Sequence, residues 1–172
     1  HRRHLGAALV PLRPARRVVV CSDENVAPLY LDRASASLRD AGFAVTHVVI
    51  PAGEAEKTLE RAAELYWVLY DRGIRRGDVV VALGGGVVGD LAGYVAATFM
   101  RGVGLVQVPT TLLAQVDASV GGKVAVDFRA GLALLPFLPM SPGDVKLIFQ
   151  GLGRGSLVQF DLDCHIPLPD RW

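Results

Sequence analysis

The sequence predicts an α/β fold built on a parallel sheet with helices on both faces. Short apolar runs alternate with segments of helical spacing up to about residue 128. The run DVVVAL (78–83) is continuously apolar, which is typical of a strand buried on both faces of a parallel sheet. One run ends at Leu83 and passes through consecutive glycines into another helical segment. Strand–turn–helix units of this kind form doubly wound, Rossmann-like sheets.

Four strands are predicted in the first 110 residues, each a short run rich in Val and Ile. They are RRVVVC (16–21), AVTHVVI (44–50), DVVVAL (78–83) and GLVQV (104–108). Because each run is followed by a helical segment or a polar loop, we expect all four strands to point the same way.

Three helical segments separate these strands. The first covers 24–42 and stops at Gly42; the second covers 57–73, with Thr58 as N-cap and Gly73 as stop. The third is a small-residue helix, DLAGYVAATFM (90–100), that begins near Val88. The apolar face of the second helix is predicted to consist of Leu59, Ala62, Ala63, Tyr66, Leu69 and Tyr70.

The regular alternation is lost after residue 128. The stretch FRAGLALLPFLPMSPGD (128–144) contains three prolines, and VKLIF (145–149) and SLVQFDLD (156–163) are the next strand candidates. We therefore divide the chain into an α/β domain, 1–128, and an irregular Pro- and Gly-rich segment, 129–172, with a return strand at 156–163.

Composition excludes several classes of function. The chain has 172 residues, of which 51% are hydrophobic, and 18 Lys and Arg balance 17 Asp and Glu, so no net charge recruits nucleic acid or an anionic membrane. The most apolar stretch, 131–140, is interrupted by two prolines and is too short to span a bilayer. The two cysteines follow no metal-binding spacing, and no secretory leader is present. We expect a soluble, cytoplasmic protein.

The stretch ALGGGVVGDLAG (82–93) has the strongest functional pattern. A predicted strand ends, glycines follow and a helix begins, which presents backbone N–H groups and a helix N-terminus to an anion such as phosphate. Gly84, Gly86 and Gly89 match G-x-G-x-x-G, but the next strand ends in QVPTT, without the carboxylate that the ordinary dinucleotide fingerprint places there. A tight turn without ligand is the alternative. The third adjacent glycine favours a phosphate site.

Polar residues follow all four predicted strands. Because ligands of open α/β sheets bind at the carboxyl ends of the strands, we expect these loops to converge on one crevice. Each residue also has a structural alternative as a turn, a helix cap or a solvated ion pair. The residues are Asp23, Asn25, Glu54, Lys57, Asp90, Thr110 and Thr111.

A second polar feature lies in LLAQVDASVGGKVAVD (112–127). Asp117 interrupts an apolar helical run, and Lys123 follows a Gly-Gly pair. A buried Asp needs a partner or a ligand, and a Lys presented by a glycine turn is suited to a carboxylate or a phosphate. The alternative is an Asp that caps its own turn and a surface Lys.

Four longer motifs carry a resemblance to a known family. GEAEK, ALGGGVVGDLAGYVAATFMRG, QVPTTLLAQVDASVGGKVAVD and the later DLDC closely resemble 3-dehydroquinate synthase, over 18–127 and weakly over 156–170. The resemblance implies an N-terminal α/β domain that binds NAD and a C-terminal helical domain, outside this chain, that holds zinc or cobalt. It also implies a homodimer and cyclisation of 3-deoxy-arabino-heptulosonate 7-phosphate, a phosphorylated sugar acid, to 3-dehydroquinate in the shikimate pathway.

The resemblance assigns roles residue by residue. Asp23 and Asn25 would contact the adenosine, and Glu54 and Lys57 its ribose. The pyrophosphate would lie on Gly85, Gly86 and Val87, and Asp90, Thr110 and Thr111 would complete the NAD site. On the substrate side, the catalytic residues would be Asp117, Lys123 and Arg101, the last lent to the neighbouring subunit.

The sequence departs from the family at several positions. Leu132 and Ala133 follow Gly131 where the family has a lysine and an asparagine, and Pro167 stands where it has a threonine. The four histidines match none of the family's metal ligands. Two alternatives therefore remain: a related sugar-phosphate cyclase of the inosose or valiolone type, and a non-catalytic nucleotide-binding fragment. We expect the chain to be inactive alone.

Overall fold

The computed structural model describes residues 4–10, 17–118, 123–128, 131–136, 145–150 and 157–160. The helices in these ranges are α1 (His4–Leu9), α2 (Ala27–Asp40), α3 (Leu59–Asp71) and α4 (Gly86–Thr98). The strands are β1 (Arg17–Asp23), β2 (Ala44–Ile50), β3 (Val79–Gly84), β4 (Gly104–Pro109), β5 (Lys123–Phe128), β6 (Gly131–Pro136), β7 (Val145–Gln150) and β8 (Leu157–Phe160). In these parts of the chain, no helix has the length and apolar character needed to cross a membrane.

The main sheet of the described residues has six strands in the order β2-β1-β3-β4-β7-β8. The first five are parallel, and β8 pairs antiparallel with β7. β5 and β6 form a separate antiparallel pair. Strand order reverses between β1 and β3, so the sheet has a topological switch point beside its centre.

Two apolar clusters cover the two faces of this sheet. One contains the buried side chains of α3 and α4, and the other contains those of α1 and α2. β3 is buried along its whole length, as are five consecutive residues of β1. This arrangement confirms the predicted parallel, doubly wound α/β class.

The predicted helix ends are confirmed for α2 and α3. The Thr58 hydroxyl accepts a hydrogen bond from the Arg61 N–H at 3.1 Å, which is an N-cap contact. Gly73, just beyond α3, has a φ of 65°, and Gly42, beyond α2, has a φ of 88°. Glycine adopts this left-handed conformation without the steric cost that other residues meet.

Two predictions about buried faces are wrong. β2 is an edge strand, and its residues alternate between exposed and half-buried until Ile50, so His47 lies at the surface. On α3 the buried residues are Ala62, Leu65 and Leu69, whereas Tyr70 is 63% exposed. The buried face of α3 therefore includes Leu65 and leaves Tyr70 exposed, because the sheet covers only a narrow stripe of this helix.

Several elements differ from the sequence prediction in extent. α4 begins at Gly86 rather than near Val88, and the helical run predicted around Asp117 is observed as a π-helical turn, Ala114–Ala118, with β5 after it. β6 lies in a stretch predicted to be irregular, and α1 was not predicted. The predicted strands at 145–149 and 156–163 are observed as β7 and β8; residues 156 and 161–163 lie outside the described residues.

Helix α4 packs closely against β4 and β5. A Cβ atom on Gly89 would come within 2.7 Å of the Gln107 side chain on β4, and one on Gly93 would come within 2.2 Å of Val124 on β5. The Cβ on Gly93 would overlap the branched Val124 side chain, whereas the Cβ on Gly89 would meet Oε1 at the end of the Gln107 side chain, which would have to shift. The small residues of α4 therefore permit a close approach that a larger helix surface would prevent.

We expect Gly93→Ala to lower the free energy of unfolding by about 1–3 kcal/mol, because overpacking against Val124 outweighs the better helix propensity of alanine. Gly77→Ala is the matched control, since a Cβ there would meet nothing within 4 Å. Urea unfolding of both variants and of Gly93→Ala/Val124→Ala measures the effect. Equal stability of the two single variants would contradict the close approach.

Candidate functional site

The carboxyl ends of four parallel strands lie side by side at one edge of the sheet. The register pairs Asp23 with Ile50, Ser22 with Leu83, and Gly84 with Pro109. The loops that follow β1, β2, β3 and β4 therefore start from adjacent positions. The predicted convergence of these loops follows from the sheet order, and the switch point between β1 and β3 lies within it.

The glycines of the turn after β3 differ in whether the folded chain requires a glycine at that position. A Cβ on Gly84 would lie 2.6 Å from Val88, so internal packing requires glycine there. Gly85 is the N-cap of α4 with φ −79° and ψ −166°, a conformation open to any residue. A Cβ on Gly85 would make only ordinary contact with Thr111, at 3.6 Å. Neither backbone conformation nor internal packing explains the glycine at 85.

The N-terminus of α4 has no side-chain cap. Gly85 has no side chain, and the structure gives no cap hydrogen bond at this end. The first backbone N–H groups of a helix have no partner within the helix, and they favour a negative charge in front of them. Gly86 and Val87 are the first two residues of this turn, so the predicted phosphate-binding groups lie at the helix N-terminus.

Thr110 and Thr111 follow β4 beside the glycine turn. The Thr110 N–H donates to the Gly84 carbonyl at 2.9 Å, which ties the two loops together. Among the described residues, the buried Thr110 Oγ1 has no hydrogen-bond partner. Thr111 Oγ1 accepts a hydrogen bond from the Ala114 N–H at 3.2 Å, which agrees with the structural alternative of a helix cap. Thr110 therefore keeps hydrogen-bonding capacity next to the glycine turn.

Asp23 and Asn25 form the turn after β1. Asp23 Oδ1 accepts hydrogen bonds from the N–H groups of Asn25 and Val26, both at 2.9 Å, so this oxygen stabilises its own turn. Glu24, which the sequence did not single out, accepts from the Ala52 N–H at 3.3 Å. This contact links the loops after β1 and β2, and only the topology could reveal it.

Cys21 precedes this turn but is not a candidate nucleophile. Burial, with a smaller effect of the Asp23 charge, raises the pKa of its thiol to about 12. A reactive cysteine needs the thiolate form near neutral pH. Cys21 therefore belongs to the apolar core.

Lys57 is the electrostatic centre of the site. Its Nζ lies 2.9 Å from Asp90 Oδ2 and 3.3 Å from Glu54 Oε1. The side chains of Lys57 and Asp90 are 10% and 18% exposed, whereas that of Glu54 is 67% exposed. The predicted pair of Glu54 and Lys57 is thus part of a three-residue cluster that joins the loop after β2 to α4.

The carboxylate partners of Lys57 keep its side chain protonated. Burial alone lowers the pKa of Lys57, but hydrogen bonds and charge interactions with Asp90, and then with Glu54, raise it above its usual value. The ammonium therefore stays protonated at physiological pH. The Asp127 N–H also donates to the Lys57 carbonyl at 2.6 Å, so β5 holds the backbone of the same residue.

The three residues predicted on the substrate side are less fully described. Arg101 is exposed, has a φ of 66° and follows Met100, whose φ is 51°. Two successive non-glycine residues in the left-handed region mark a strained turn after α4. Asp117 lies in the π-helical turn and Lys123 begins β5; their side chains lie outside the described residues. Their approach to the glycine turn stays a prediction.

The described parts of the chain contain no group of three His, Cys, Asp or Glu side chains that could hold a metal ion. A catalytic zinc site needs about three protein ligands. These parts of the chain therefore provide no ligand set for a divalent metal.

Comparison with known proteins identifies the family. The family model described as 3-dehydroquinate synthase N-terminal matches residues 47–138, which include the glycine turn, Lys57 and Asp90. The chain belongs to the 3-dehydroquinate synthase family. This confirms the resemblance inferred from the sequence motifs.

Curated 3-dehydroquinate synthases are similar to large parts of the chain. The enzyme of Desulforamulus reducens is 59% identical over 127 residues, covering 74% of this chain and 35% of the relative. That of Symbiobacterium thermophilum is 53% identical over 170 residues, covering 99% and 42%. The chain thus spans 35–42% of the length of these relatives.

Two solved structures are similar in fold. A 2-deoxy-scyllo-inosose synthase, complexed with carbaglucose-6-phosphate, NAD+ and Co2+, has a TM-score of 0.73 at 26% identity and covers 86% of this chain and 40% of its own. The 2-epi-5-epi-valiolone synthase of Streptomyces hygroscopicus, with NAD+ and Zn2+ bound, has a TM-score of 0.67 at 29% identity and covers 84% and 40%.

We expect Lys57→Met to lower the free energy of unfolding by about 2–4 kcal/mol, because it leaves the Asp90 carboxylate largely buried without this cation. Adding Asp90→Asn should recover part of the loss, since it removes the buried charge that Lys57 balanced. Glu54→Gln is the control, and its exposed pair should cost less than about 1 kcal/mol. Urea unfolding of the three variants measures this; additive losses in the double variant would contradict a coupled ion pair.

Proposed function

We propose that this chain is the NAD-binding part of a 3-dehydroquinate synthase. The whole enzyme would convert 3-deoxy-arabino-heptulosonate 7-phosphate to 3-dehydroquinate with loss of phosphate. Membership of the family and the 53–59% identity to curated 3-dehydroquinate synthases support this activity. NAD would serve as a transient hydride acceptor that is regenerated within each cycle.

The observation that carries the proposal is the glycine at position 85. Packing within the chain accounts for Gly84, Gly89 and Gly93, but neither packing nor dihedral angles account for Gly85. Close approach of a ligand to the backbone supplies the missing reason. We assign the pyrophosphate of NAD to Gly85, Gly86 and Val87, in front of the uncapped helix.

The remaining loops complete the nucleotide site in this proposal. The exposed Glu54 carboxylate accepts hydrogen bonds from the adenosine ribose hydroxyls, as the acidic residue of a dinucleotide fingerprint does, but from an earlier strand. Lys57 orients Glu54 and Asp90 through its two ion pairs. Thr110 offers the buried, unpartnered hydroxyl. Asp23, Asn25 and Thr111 line the margin of the same crevice.

The substrate side of the proposal rests on Asp117, Lys123 and Arg101. A phosphorylated sugar acid carries two anionic groups, which suit Lys123 and an arginine from a second copy in a homodimer. Both solved neighbours hold a divalent metal along with NAD+. The described residues of this chain provide no ligand set for such a metal.

A related sugar-phosphate cyclase is the second candidate. The inosose and valiolone synthases share the fold at 26–29% identity, against more than 50% for the curated 3-dehydroquinate synthases. The higher identity favours the 3-dehydroquinate synthase activity. A nucleotide-binding fragment without turnover also accommodates the departures at Leu132 and Ala133, and turnover by this chain would refute it.

We expect the chain to bind NAD and Gly85→Ser to weaken that binding about tenfold or more. A serine at this N-cap can accept hydrogen bonds from the helix N–H groups that the pyrophosphate needs, and its side chain occupies the approach path. Calorimetric titration with NAD measures the affinity.

Thermal melting of the same samples separates binding from folding. Gly85→Ser should melt at or above the wild-type temperature, because serine is a good N-cap. Gly84→Ala is the reverse control, since its Cβ would overlap Val88 and lower the melting temperature. Unchanged NAD affinity in a folded Gly85→Ser chain would refute the pyrophosphate assignment.

We also expect the chain alone to show no turnover. The described residues form no metal site, and Leu132 and Ala133 replace the lysine and asparagine that the family resemblance implies for cofactor and substrate. The assay is phosphate release from the heptulosonate phosphate with NAD and zinc or cobalt present. Turnover above a no-protein control, abolished by a chelator, would contradict this expectation.

A further inference from the structure

The turn before α3 carries two carboxylates with different partners. Glu54 and Glu56 begin and end a 3-10 turn, and Lys57 follows immediately. Either carboxylate is close enough along the chain to approach the Lys57 ammonium. In the structure Glu54 pairs with Lys57, whereas Glu56 pairs with Arg61. The two carboxylates are thus separated between a ligand-facing cluster and a second cluster on α3.

Arg61 holds Glu56 with more than one nitrogen. Its Nε donates to Glu56 Oε2 at 2.7 Å, and Nη2 lies 2.5 Å from the same oxygen. A third nitrogen, Nη1, pairs with Glu64. The Arg61 and Glu56 side chains are only 26% and 21% exposed, so solvent screens this pair less than an open surface pair. A planar guanidinium is suited to this several-point contact, and a lysine is not.

The backbone of Arg61 is fixed by the same turn. Its N–H donates to the Thr58 hydroxyl, and the next residue, Ala62, is fully buried against the core. The guanidinium therefore extends from a rigid helical start toward the turn. Its position relative to Lys57 is set by α3 rather than by the loop itself.

We infer that Arg61 is a positioning residue for the nucleotide site. It binds the Glu56 carboxylate and so keeps it from the Lys57 ammonium, which pairs with Glu54 and Asp90. Arg61 does not itself touch the nucleotide. Without it, Glu56 adds an unbalanced negative charge next to Lys57 and competes with Glu54 for the ammonium. Both effects oppose binding of the dianionic pyrophosphate. This inference rests on the proposed NAD site.

Calorimetric titration of this chain with NAD tests the inference. We expect Arg61→Ala to raise the Kd for NAD about fivefold to tenfold. Removing the released carboxylate in Arg61→Ala/Glu56→Gln should restore the Kd to within about twofold of wild type. Glu64→Gln is the matched control, because Glu64 also pairs with Arg61 but its side chain is 62% exposed; its Kd should not change.

Rescue by the double variant is the decisive readout. If Arg61 only stabilised α3, the double variant would bind NAD no better than Arg61→Ala, and that result overturns the inference. An Arg61→Ala chain that is folded and binds as wild type also overturns it. If Arg61→Ala does not fold, Arg61→Lys is used in its place. Its Kd for NAD should rise about twofold to fivefold and should recover when Glu56→Gln is added. An unchanged Kd for Arg61→Lys overturns the inference.

Failure of the underlying proposal gives a different result. A folded wild-type chain that does not bind NAD refutes the nucleotide site itself, before any variant is compared. Wild-type binding with an unchanged Arg61→Ala affinity refutes only the role of Arg61. The two outcomes are therefore separated by the first titration.

Discussion

The close packing of α4 against the sheet is the constraint on which the candidate site depends. Gly89 and Gly93 let this helix approach β4 and β5 to distances at which a Cβ would overlap a neighbouring side chain. The helix therefore begins directly at the end of β3, and its uncapped N-terminus opens at the switch point of the sheet. The same packing brings Asp90, on the second turn, within 2.9 Å of Lys57. A helix held farther from the sheet would change the positions of both the anion-binding end and the ion pair.

Electrostatics then fixes the loop after β2. Lys57 is held by its side chain through Asp90 and by its carbonyl through Asp127, so α4 and β5 position one residue together. Glu54 remains exposed while in contact with the ammonium, which leaves a carboxylate available for ligand hydroxyls. Arg61 compensates the neighbouring carboxylate of Glu56. Each of the two carboxylates of this loop thus has a cationic partner, so the loop is held in a defined arrangement.

The sequence predicted the sheet because its determinants are local. Continuous apolar runs, Thr58 as a cap and Gly73 as a stop depend on neighbouring residues, and the structure confirms them. The wrong predictions concern tertiary relations. His47 lies at the surface because β2 is the edge of the sheet, and no local pattern reveals strand order. The link from Glu24 to Ala52 joins two loops that are distant in sequence, so periodicity could not predict it. The motifs indicated the candidate site, but its ion-pair geometry required the fold.

The glycines of the central turn separate structural from functional causes. Five glycines lie within the ten residues 84–93, and a sequence pattern treats them as one signal. In the structure, the Val88 side chain excludes a Cβ at Gly84 and the Val124 side chain excludes one at Gly93, while a Cβ at Gly89 would require the Gln107 side chain to move. At Gly85, by contrast, the dihedral angles are ordinary and the space is open, so neither strain nor packing requires glycine there. A glycine that the folded chain does not require is better evidence for a binding site than a complete glycine motif, because packing alone can account for the other positions of that motif.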